Sequence, residues 1–290
     1  MCGVRPRAGP RAFSCVSCGV ELDLEPNGVF AAKGTAMLSF PDDGDELLAG
    51  VEEESFWFRH RNQVIALALE RFPISGPLWD VGGGNGFQAL VLERAGHRVV
   101  VVEPGAARSN VAALRGVGTV VRGTLGAIGL PPASIAGLSL FDVVEHLDDP
   151  APLLAECRRV LAPGGRLFVT VPAWQALWSE ADDYAQHHRR YTRAGLEQQL
   201  VEAGFRVDAC TYFFQALVLP IAIFRALPYR LSLRRAGAHA EVATGEHAPG
   251  GLSQRVVERL LARELASLRA GARPLFGASI IAVAHVEPIR

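Results

Sequence analysis

The sequence predicts an α/β protein that is built on a doubly wound, mostly parallel β-sheet. From residue 77 onwards, short apolar runs alternate with stretches of helical periodicity, which is typical of parallel strands joined by helices. The run Val99–Val102 consists of valine alone, as expected for a strand that is covered by helices on both faces. A glycine-rich turn at 82–86 follows the first run, and ligands of such sheets lie beyond the carboxyl ends of the strands.

The elements follow one another in a regular order. An amphipathic helix is predicted at 52–72, where Phe56, Ile65 and Leu69 supply apolar surface. Right-handed crossovers then connect each strand to the next parallel one. We predict strands at 77–81, 97–102, 117–122, 136–142, 166–171 and 205–211, and helices at 86–95, 105–115, 150–161 and 192–202.

Two segments depart from this alternation. Residues 1–50 are rich in proline and glycine, so we predict an N-terminal extension with a Cys-x-x-Cys pair that is irregular and partly ordered. Residues 51–290 form the main domain, in which 212–275 is a helical insertion before a last strand at 277–286. An insertion at this place is expected to help recognise a substrate.

The insertion opens with an apolar helix at 213–233, which Pro220 and Pro228 are expected to interrupt. A loop at 234–251 and a second helix at 252–268 follow. The apolar helix suits a lid over a hydrophobic ligand, a homodimer contact or a membrane surface. Its polar face is sparse, which favours the first two, and it is shorter than the roughly 20 apolar residues that span a bilayer. No stable membrane insertion is predicted.

Composition narrows the range of partners. The chain has 29 basic and 30 acidic residues, and its net charge is −1. A sequence-independent nucleic-acid surface requires clustered lysine and arginine, so no nucleic-acid partner is predicted. No apolar segment typical of a signal peptide follows the N-terminus, and a cytoplasmic location is expected.

The five cysteines do not form a complete metal site. Cys15 and Cys18 resemble half of a zinc site, but a structural zinc requires four ligands, no second pair follows, and Cys2 stands alone near the terminus. Cys157 and Cys210 are expected to be small buried side chains. We therefore predict no bound metal.

The most informative motif joins the glycine turn to two acids. Asp80 lies near the carboxyl end of the first predicted strand, and the turn 82–86 leads into a helix whose N-terminus offers free N–H groups. Glycine lets the backbone approach a ligand closely. Glu103 ends the second strand about 20 residues on, a position that suits hydrogen bonds to ribose hydroxyls. The motif predicts an adenosine-containing cofactor.

The spacing of the glycines separates two classes of cofactor. A dinucleotide turn requires a third glycine at position 87, where the chain has Phe87, so a nicotinamide-dependent oxidoreductase is the weaker hypothesis. The pattern Asp80-x-Gly82-x-Gly84-x-Gly86 instead resembles motif I of the class I S-adenosylmethionine (SAM)-dependent methyltransferases. The segments at 140–150 and 161–172 resemble the same family. Those at 187–192 and 203–205 resemble a bacterial subgroup of it that acts on small molecules.

The resemblance implies a seven-stranded methyltransferase sheet whose last strand is antiparallel, with SAM as the cofactor. It places Asp80 near the methionine amino group and Glu103 at the ribose. Arg59 or Arg61 is the candidate partner of the methionine carboxylate. Relatives often carry an acid where Thr124 stands, so Thr124 or backbone groups would hold the adenine. The candidate cofactor residues are Asp80, Gly82, Gly84, Gly86, Glu103, Pro104, Thr124, Leu125, Phe141 and Asp142.

Two histidine-containing segments are candidates for proton transfer. Glu145 and His146 follow the fourth strand of the main sheet, where they can act as a general base, as divalent-metal ligands or as a structural brace. His187 and His188 follow the fifth, and we favour His188 as the base. The candidate catalytic residues are His188, His146 and Glu145.

The proposed reaction is methyl transfer from SAM to an oxygen or nitrogen of a small-molecule acceptor. Secondary metabolism and the synthesis of cell-surface or lipid precursors are both suitable settings. The alternative from another functional class is a non-catalytic SAM-binding partner or regulator. The presence of Thr124 where relatives often carry an acid favours this alternative. Arg189, like Arg190, can pair with an acidic group of the acceptor. The candidate acceptor-binding residues are Trp57, Trp174, Trp178, Arg189 and Tyr191.

Overall fold

A computed structural model describes residues 7–9, 12–14, 20–32, 55–232 and 252–288. Several sequence-based predictions lie outside the described residues and are not discussed further. They are the half zinc site at Cys15 and Cys18 together with Cys2, and the predicted loop at 234–251.

The described strands form one sheet in the order β1-β2-β3-β4-β7-β6-β5-β8-β9-β11-β10. Strands β4 to β9 pair in parallel, and β11 lies antiparallel between β9 and β10. In sheet order, the seven strands β7, β6, β5, β8, β9, β11 and β10 confirm the predicted seven-stranded main sheet. The strands are β1 (Arg7–Gly9), β2 (Ala12–Ser14), β3 (Glu21–Leu24), β4 (Phe30–Ala32), β5 (Leu78–Val81), β6 (Val99–Glu103), β7 (Val120–Arg122), β8 (Ile135–Phe141), β9 (Leu161–Pro172), β10 (Arg206–Phe213) and β11 (Ser279–His285).

Helices cover both faces of this sheet. Val99 and Val101 of β6 pack in one apolar layer, and Val100 and Val102 pack in the other, because successive strand residues point to opposite faces. All four valines are buried, which confirms the prediction from the valine run. The helices are α1 (Phe56–Arg71), α2 (Phe87–Arg94), α3 (Ala106–Leu114), α4 (Leu125–Ile128), α5 (Ala151–Val160), α6 (Glu180–Tyr184), α7 (Arg193–Glu202), α8 (Val218–Ile221), α9 (Leu227–Arg230) and α10 (Leu252–Arg269).

Chain order reverses between β5 and β8, which are neighbours in the sheet. From β5 the chain moves outward through β6 to β7, and then returns to the other side of β5 as β8. The loops after β5 and β8 diverge at this point and leave a crevice at the carboxyl ends of the strands. The candidate site therefore lies above β5, β6, β8 and β9.

The N-terminal extension is more regular than predicted. Its strands β1 to β4 form an antiparallel ribbon, and β4 joins the main sheet beside β7, with Phe30 opposite Val121. Leu22 and Val29 are fully buried in this ribbon. Each strand has only three or four residues, which is too short for a period of two to stand out in the sequence. The boundary at residue 50 stays a prediction, since it lies outside the described residues.

The two prolines do not interrupt the first helix of the insertion. The chain passes from α8 through a π-helical turn (Ala222–Ala226) directly into α9. Pro220 lies in the first turn of α8, and Pro228 is the second residue of α9. The wider π turn also gives room ahead of the Pro228 ring.

The insertion helix is apolar on both its buried and its exposed face. Leu217, Ile221 and Ala226 are buried, whereas Leu219 and Phe224 are 70% and 66% exposed. The outward face is thus apolar and carries no contact that identifies a lid, a dimer or a membrane surface, so those alternatives stay predictions. Among the helices that the structure describes, none is both long and apolar enough to cross a membrane.

Candidate active site

The glycine turn adopts the conformation that only glycine takes readily. Gly82, Gly84 and Gly86 have φ angles of 74°, 55° and 77°. The Gly82 N–H donates to the Val102 carbonyl at 2.8 Å, which ties the turn to β6. Gly86 is the residue before α2, so the turn opens onto the N-terminus of that helix.

Two of these glycines differ in the space beside them. A Cβ at Gly86 would lie 2.7 Å from Val117 and 2.8 Å from Ala112, whereas a Cβ at Gly84 would meet no atom within 4 Å. We expect Gly84→Ala to cost about 1–2 kcal/mol of unfolding free energy from its φ alone. Gly86→Ala should cost about 1–3 kcal/mol more, because the packed core must also shift. Urea unfolding measures both losses, and equal losses would contradict the packing argument.

Glu103 connects the ends of β5 and β6. Its carboxylate is buried and accepts hydrogen bonds from the backbone N–H of Gly84 at 3.0 Å and of Gly105 at 2.8 Å. These contacts fix the acid beside the glycine turn, at the position from which a ribose would be held. Pro104 follows it at the edge of the same crevice.

Asp80 has a buried oxygen without a partner. Its Oδ1 accepts a hydrogen bond from Ser139 Oγ at 2.8 Å, whereas Oδ2 is buried and makes no hydrogen bond. Burial raises the pKa of Asp80 to about 6, although the Ser139 hydrogen bond and the charge of Arg61 lower it in part. A buried carboxylate oxygen beside the glycine turn fits the ammonium group of methionine.

Arg61 reaches the same crevice from α1. Its Nε lies 2.7 Å from Asp142 Oδ2, and its guanidinium carbon lies 5.9 Å from the centre of the Phe141 ring. Arg59 instead pairs with Glu258 of α10 at 2.6 Å. Of the two candidate arginines, Arg61 is the one that lies beside Asp142 and acts on the charge of Asp80, and its contact with the cofactor stays a prediction.

Three side chains form an acid–histidine cluster, which we define as Glu145, His146 and His187. Each of them offers one ligand atom, and these atoms all lie within 4.8 Å of one another. Glu145 is fully buried and neither of its carboxylate oxygens has a hydrogen-bond partner. Burial, followed by the charge of Asp142, raises the pKa of Glu145 well above its usual value. Burial and the neighbouring His187 lower the pKa of His146 to about 4.

Asp182 holds His187 in this cluster. His187 Nδ1 lies 2.9 Å from Asp182 Oδ1, which leaves Nε2 for the cluster. Arg190 donates to both oxygens of Asp182, from Nε at 2.7 Å and from Nη2 at 2.9 Å. Burial alone would raise the pKa of Asp182, but the hydrogen bonds from His187 and Arg190 lower it to about 2. Arg190 is thus paired within the protein, which argues against the prediction that it pairs with an acidic group of the acceptor.

His188 lies outside the cluster. Its side chain is 46% exposed, and its nearest charged partner is Asp148, at 3.8 Å. Only its backbone N–H points inward and donates to the Glu145 carbonyl at 2.7 Å. The geometry favours His187 over the predicted His188 as the proton acceptor.

Several predicted binding residues have structural partners instead of open faces. Thr124 caps α4 by accepting from the Ala127 N–H at 3.2 Å. Leu125 and Tyr191 are buried in the core. Arg189 donates to the backbone carbonyls of Leu147 and Asp148. Direct contacts of these four residues with SAM or the acceptor stay predictions.

The three predicted tryptophans lie where the insertion meets the main domain. Trp57 of α1 stacks on Phe214 at 4.0 Å, and Trp174 stacks on Tyr212 at 5.1 Å. Trp178 Nε1 donates to Asp183 at 3.0 Å. Each tryptophan thus has a partner within the protein, and contact with an acceptor stays a prediction.

Glu264 is a site-shaping residue that the sequence analysis misses. It lies buried on α10 and accepts hydrogen bonds from the backbone N–H of Phe214 at 2.9 Å and of Gln215 at 2.7 Å. Its Oε2 also lies 2.7 Å from His60 Nε2. In the sequence it looks like one more acid on a charged helix, so no local signal distinguishes it.

The fold and the glycine turn define a Rossmann-like protein that binds an adenosine-containing cofactor. A methyltransferase domain model matches residues 79–169. The chain is 31% identical to a probable SAM-dependent methyltransferase of Mycolicibacterium smegmatis, over 59% of this chain and 67% of that protein. The chain belongs to the class I SAM-dependent methyltransferases, and its cofactor is SAM.

Two further similarities are more limited. A ubiquinone biosynthesis O-methyltransferase of Xylella fastidiosa is 34% identical, over 35% of this chain and 44% of that protein. A Thermotoga maritima structure of a SAM-dependent methyltransferase, described as a possible histamine N-methyltransferase, superposes with a TM-score of 0.52 and 17% identity. It covers 84% of this chain and 96% of that chain, and it supports the fold alone.

Proposed function

We propose that the enzyme transfers the methyl group of SAM to a small-molecule acceptor, with a hydroxyl oxygen favoured over a nitrogen. The acid–histidine cluster carries this proposal. A hydroxyl must lose its proton during methylation, whereas a neutral amine can attack with its lone pair. The O-methyltransferase name of the Xylella fastidiosa relative agrees with this preference.

The residues around the glycine turn fit the cofactor. The unpartnered Oδ2 of Asp80 suits the ammonium group of SAM, and Arg61 lies where it can meet the carboxylate. Glu103 suits the ribose hydroxyls once its backbone contacts rearrange. SAM supplies a methyl group on a sulfonium sulfur, and the sulfur keeps the bonding electron pair when the methyl group leaves.

The cluster can remove the acceptor proton. As the new carbon–oxygen bond forms, the O–H bond breaks and its proton passes to the cluster. His187 is oriented for this task because Asp182 holds its Nδ1 and stabilises a positive charge on the ring. Asp182 itself is held ionised by Arg190. The arrangement resembles other histidine bases that are positioned by a buried acid.

Replacing His187 with alanine should lower kcat by about 10²–10⁴-fold, the range that general base catalysis contributes. The affinity for S-adenosylhomocysteine (SAH) should stay within about twofold, because the ring does not line the glycine turn. His188→Ala tests the neighbouring residue that the sequence favours, and it should have the smaller effect. Transfer of a labelled methyl group to a panel of phenols, alcohols and amines measures turnover, and calorimetry measures SAH affinity.

A larger loss for His188→Ala would overturn the assignment of His187. Methylation of amines alone, unaffected by His187→Ala, would contradict the preference for oxygen. If SAH binds but no acceptor on the panel is methylated, the non-catalytic SAM-binding partner gains support. The metabolic setting, a cytoplasmic location and a homodimer remain predictions from the sequence.

A further inference from the structure

The acid–histidine cluster has the composition of a metal site. Its two histidines and one carboxylate come from two separate segments, the turn Val144–His146 after β8 and the loop after α6. Their ligand atoms already lie within 4.8 Å of one another. A tetrahedral ion with bonds near 2.1 Å separates its ligands by about 3.4 Å, so side-chain adjustments of roughly 1 Å would complete the site.

In the described part of the chain, no hydrogen-bond partner explains the burial of Glu145. Both oxygens are buried and unpaired, and burying such a carboxylate without a partner costs free energy. Arg61 and Arg190 act on its charge, but each is paired with another acid, Arg61 with Asp142 and Arg190 with Asp182. A bound cation would satisfy both oxygens.

His187 is oriented as a metal ligand commonly is. Ligating histidines usually donate their second ring N–H to a carboxylate, which fixes the ring and its tautomer. Asp182 occupies this place on His187 Nδ1 and is itself fixed by Arg190 and by the Ser179 N–H at 2.8 Å. The support behind the ligand is therefore already built.

We propose that Glu145, His146 and His187 bind one divalent transition-metal ion, of the Zn²⁺, Co²⁺, Fe²⁺ or Mn²⁺ type. Two imidazoles and one carboxylate suit these ions, whereas Mg²⁺ and Ca²⁺ prefer oxygen ligands alone. The sequence predicts no bound metal, although it leaves Glu145 and His146 open as divalent-metal ligands. The structure adds His187 as the third candidate ligand.

This inference rests on the proposed function, and the ion defines the substrate class of that function as compounds with a hydroxyl group. Three protein ligands leave a position for the hydroxyl of the acceptor, and the ion lowers the pKa of that hydroxyl. The O–H proton then passes to water, the oxygen attacks the methyl carbon, and the carbon–sulfur bond breaks to give a neutral thioether. The oxidation state of the ion does not change. In this form His187 holds the ion and does not accept the proton itself.

The test is a Co²⁺ titration of the chelator-treated full chain, followed by visible absorption and by calorimetry. All proteins in the test carry Cys15→Ser and Cys18→Ser, so that the thiolates of these two residues cannot account for Co²⁺ binding. We expect one Co²⁺ per chain, with affinity reduced at least tenfold by Glu145→Gln and by His187→Ala. Glu156→Gln and His97→Ala are matched controls on the surface. SAH affinity and circular dichroism verify that each variant is folded.

Methyl transfer is measured in the same samples with and without the ion. Binding of one Co²⁺ that both cluster variants weaken supports the site, even where no hydroxyl acceptor is methylated and the proposed function fails. No Co²⁺ binding in the Cys15→Ser/Cys18→Ser background, or binding that the cluster variants leave unchanged, overturns the site. Hydroxyl methylation that proceeds at full rate in chelator also overturns it, while the proposed function stands.

Discussion

Asp80→Asn is expected to weaken SAH and SAM binding by at least tenfold. The substitution keeps the shape of the side chain but removes the charge that would meet the ligand ammonium group, and a charged hydrogen bond contributes about 1.5–3 kcal/mol. Among the residues that the structure describes, none hydrogen-bonds to Asp80 Oδ2. Calorimetric titration with SAH measures the loss. Asp23→Asn, on the exposed face of β3, is the control and should bind as the unchanged protein does.

The same residue predicts how binding depends on pH. The pKa of Asp80 is about 6 because the carboxyl group is buried, and the ligand requires its ionised form. SAH affinity should therefore fall as the pH drops below about 6, and binding in that range should release a proton. Asp80→Asn should lose this pH dependence. Titrations at pH 5.5 and 7.5, in buffers of different ionisation enthalpy, measure both effects.

Stability should change in the opposite direction from binding. The folded-state pKa of Asp80 lies above its ordinary value, so the stability that this group contributes is lost as the pH rises through about 6. Asparagine cannot ionise, and Asp80→Asn should stabilise the ligand-free protein at pH 7.5 by up to about 3 kcal/mol. An unchanged SAH affinity together with unchanged stability would remove Asp80 from the site.

The features that the sequence predicts well are those with a strong local signal. The valine run of β6 is recognisable because both faces of a central parallel strand are buried. Gly82, Gly84 and Gly86 are recognisable because their positive φ angles leave few alternatives to glycine. Asp80 and Glu103 are predictable as neighbours because they lie at the carboxyl ends of two parallel strands, and parallel strands bring these ends to one edge of the sheet.

The features that the sequence does not predict depend on contacts between distant segments. His187 and His188 are adjacent, and no periodicity in their loop determines which ring faces Glu145. Asp182 and Glu264 are ordinary acids in the sequence, and their roles depend on Arg190 and on the backbone of Phe214. The ribbon β1–β4 is stabilised by its pairing with β7, a partner that is remote along the chain. Local propensity carries no information on such contacts.

Asp182 is the residue whose loss should destabilise the fold most. It is buried and accepts hydrogen bonds from Arg190, whose side chain is only 9% exposed. Asp182→Ala would leave this guanidinium buried without its partner, which costs about 3–5 kcal/mol. Asp183→Asn is the neighbouring control, and it should cost at most about 1 kcal/mol because Asp183 is exposed. Urea unfolding at pH 7 measures both variants.

The pH dependence of unfolding isolates the charge of Asp182 from its packing. Its pKa of about 2 lies below the ordinary value of 3.8, so its contribution is present above about pH 4 and is lost as the pH falls towards 2. That contribution amounts to about 2 kcal/mol. Asp182→Asn should remove this acid-sensitive portion, and adding Arg190→Gln should recover part of the loss, since neither buried charge remains. If the double variant is as unstable as the sum of the two single variants, the ion pair does not explain the stability. The same variants bear on catalysis. Without its acid partner the His187 ring would lose its orientation, and the enzyme would lose turnover, while the glycine turn would still bind SAH.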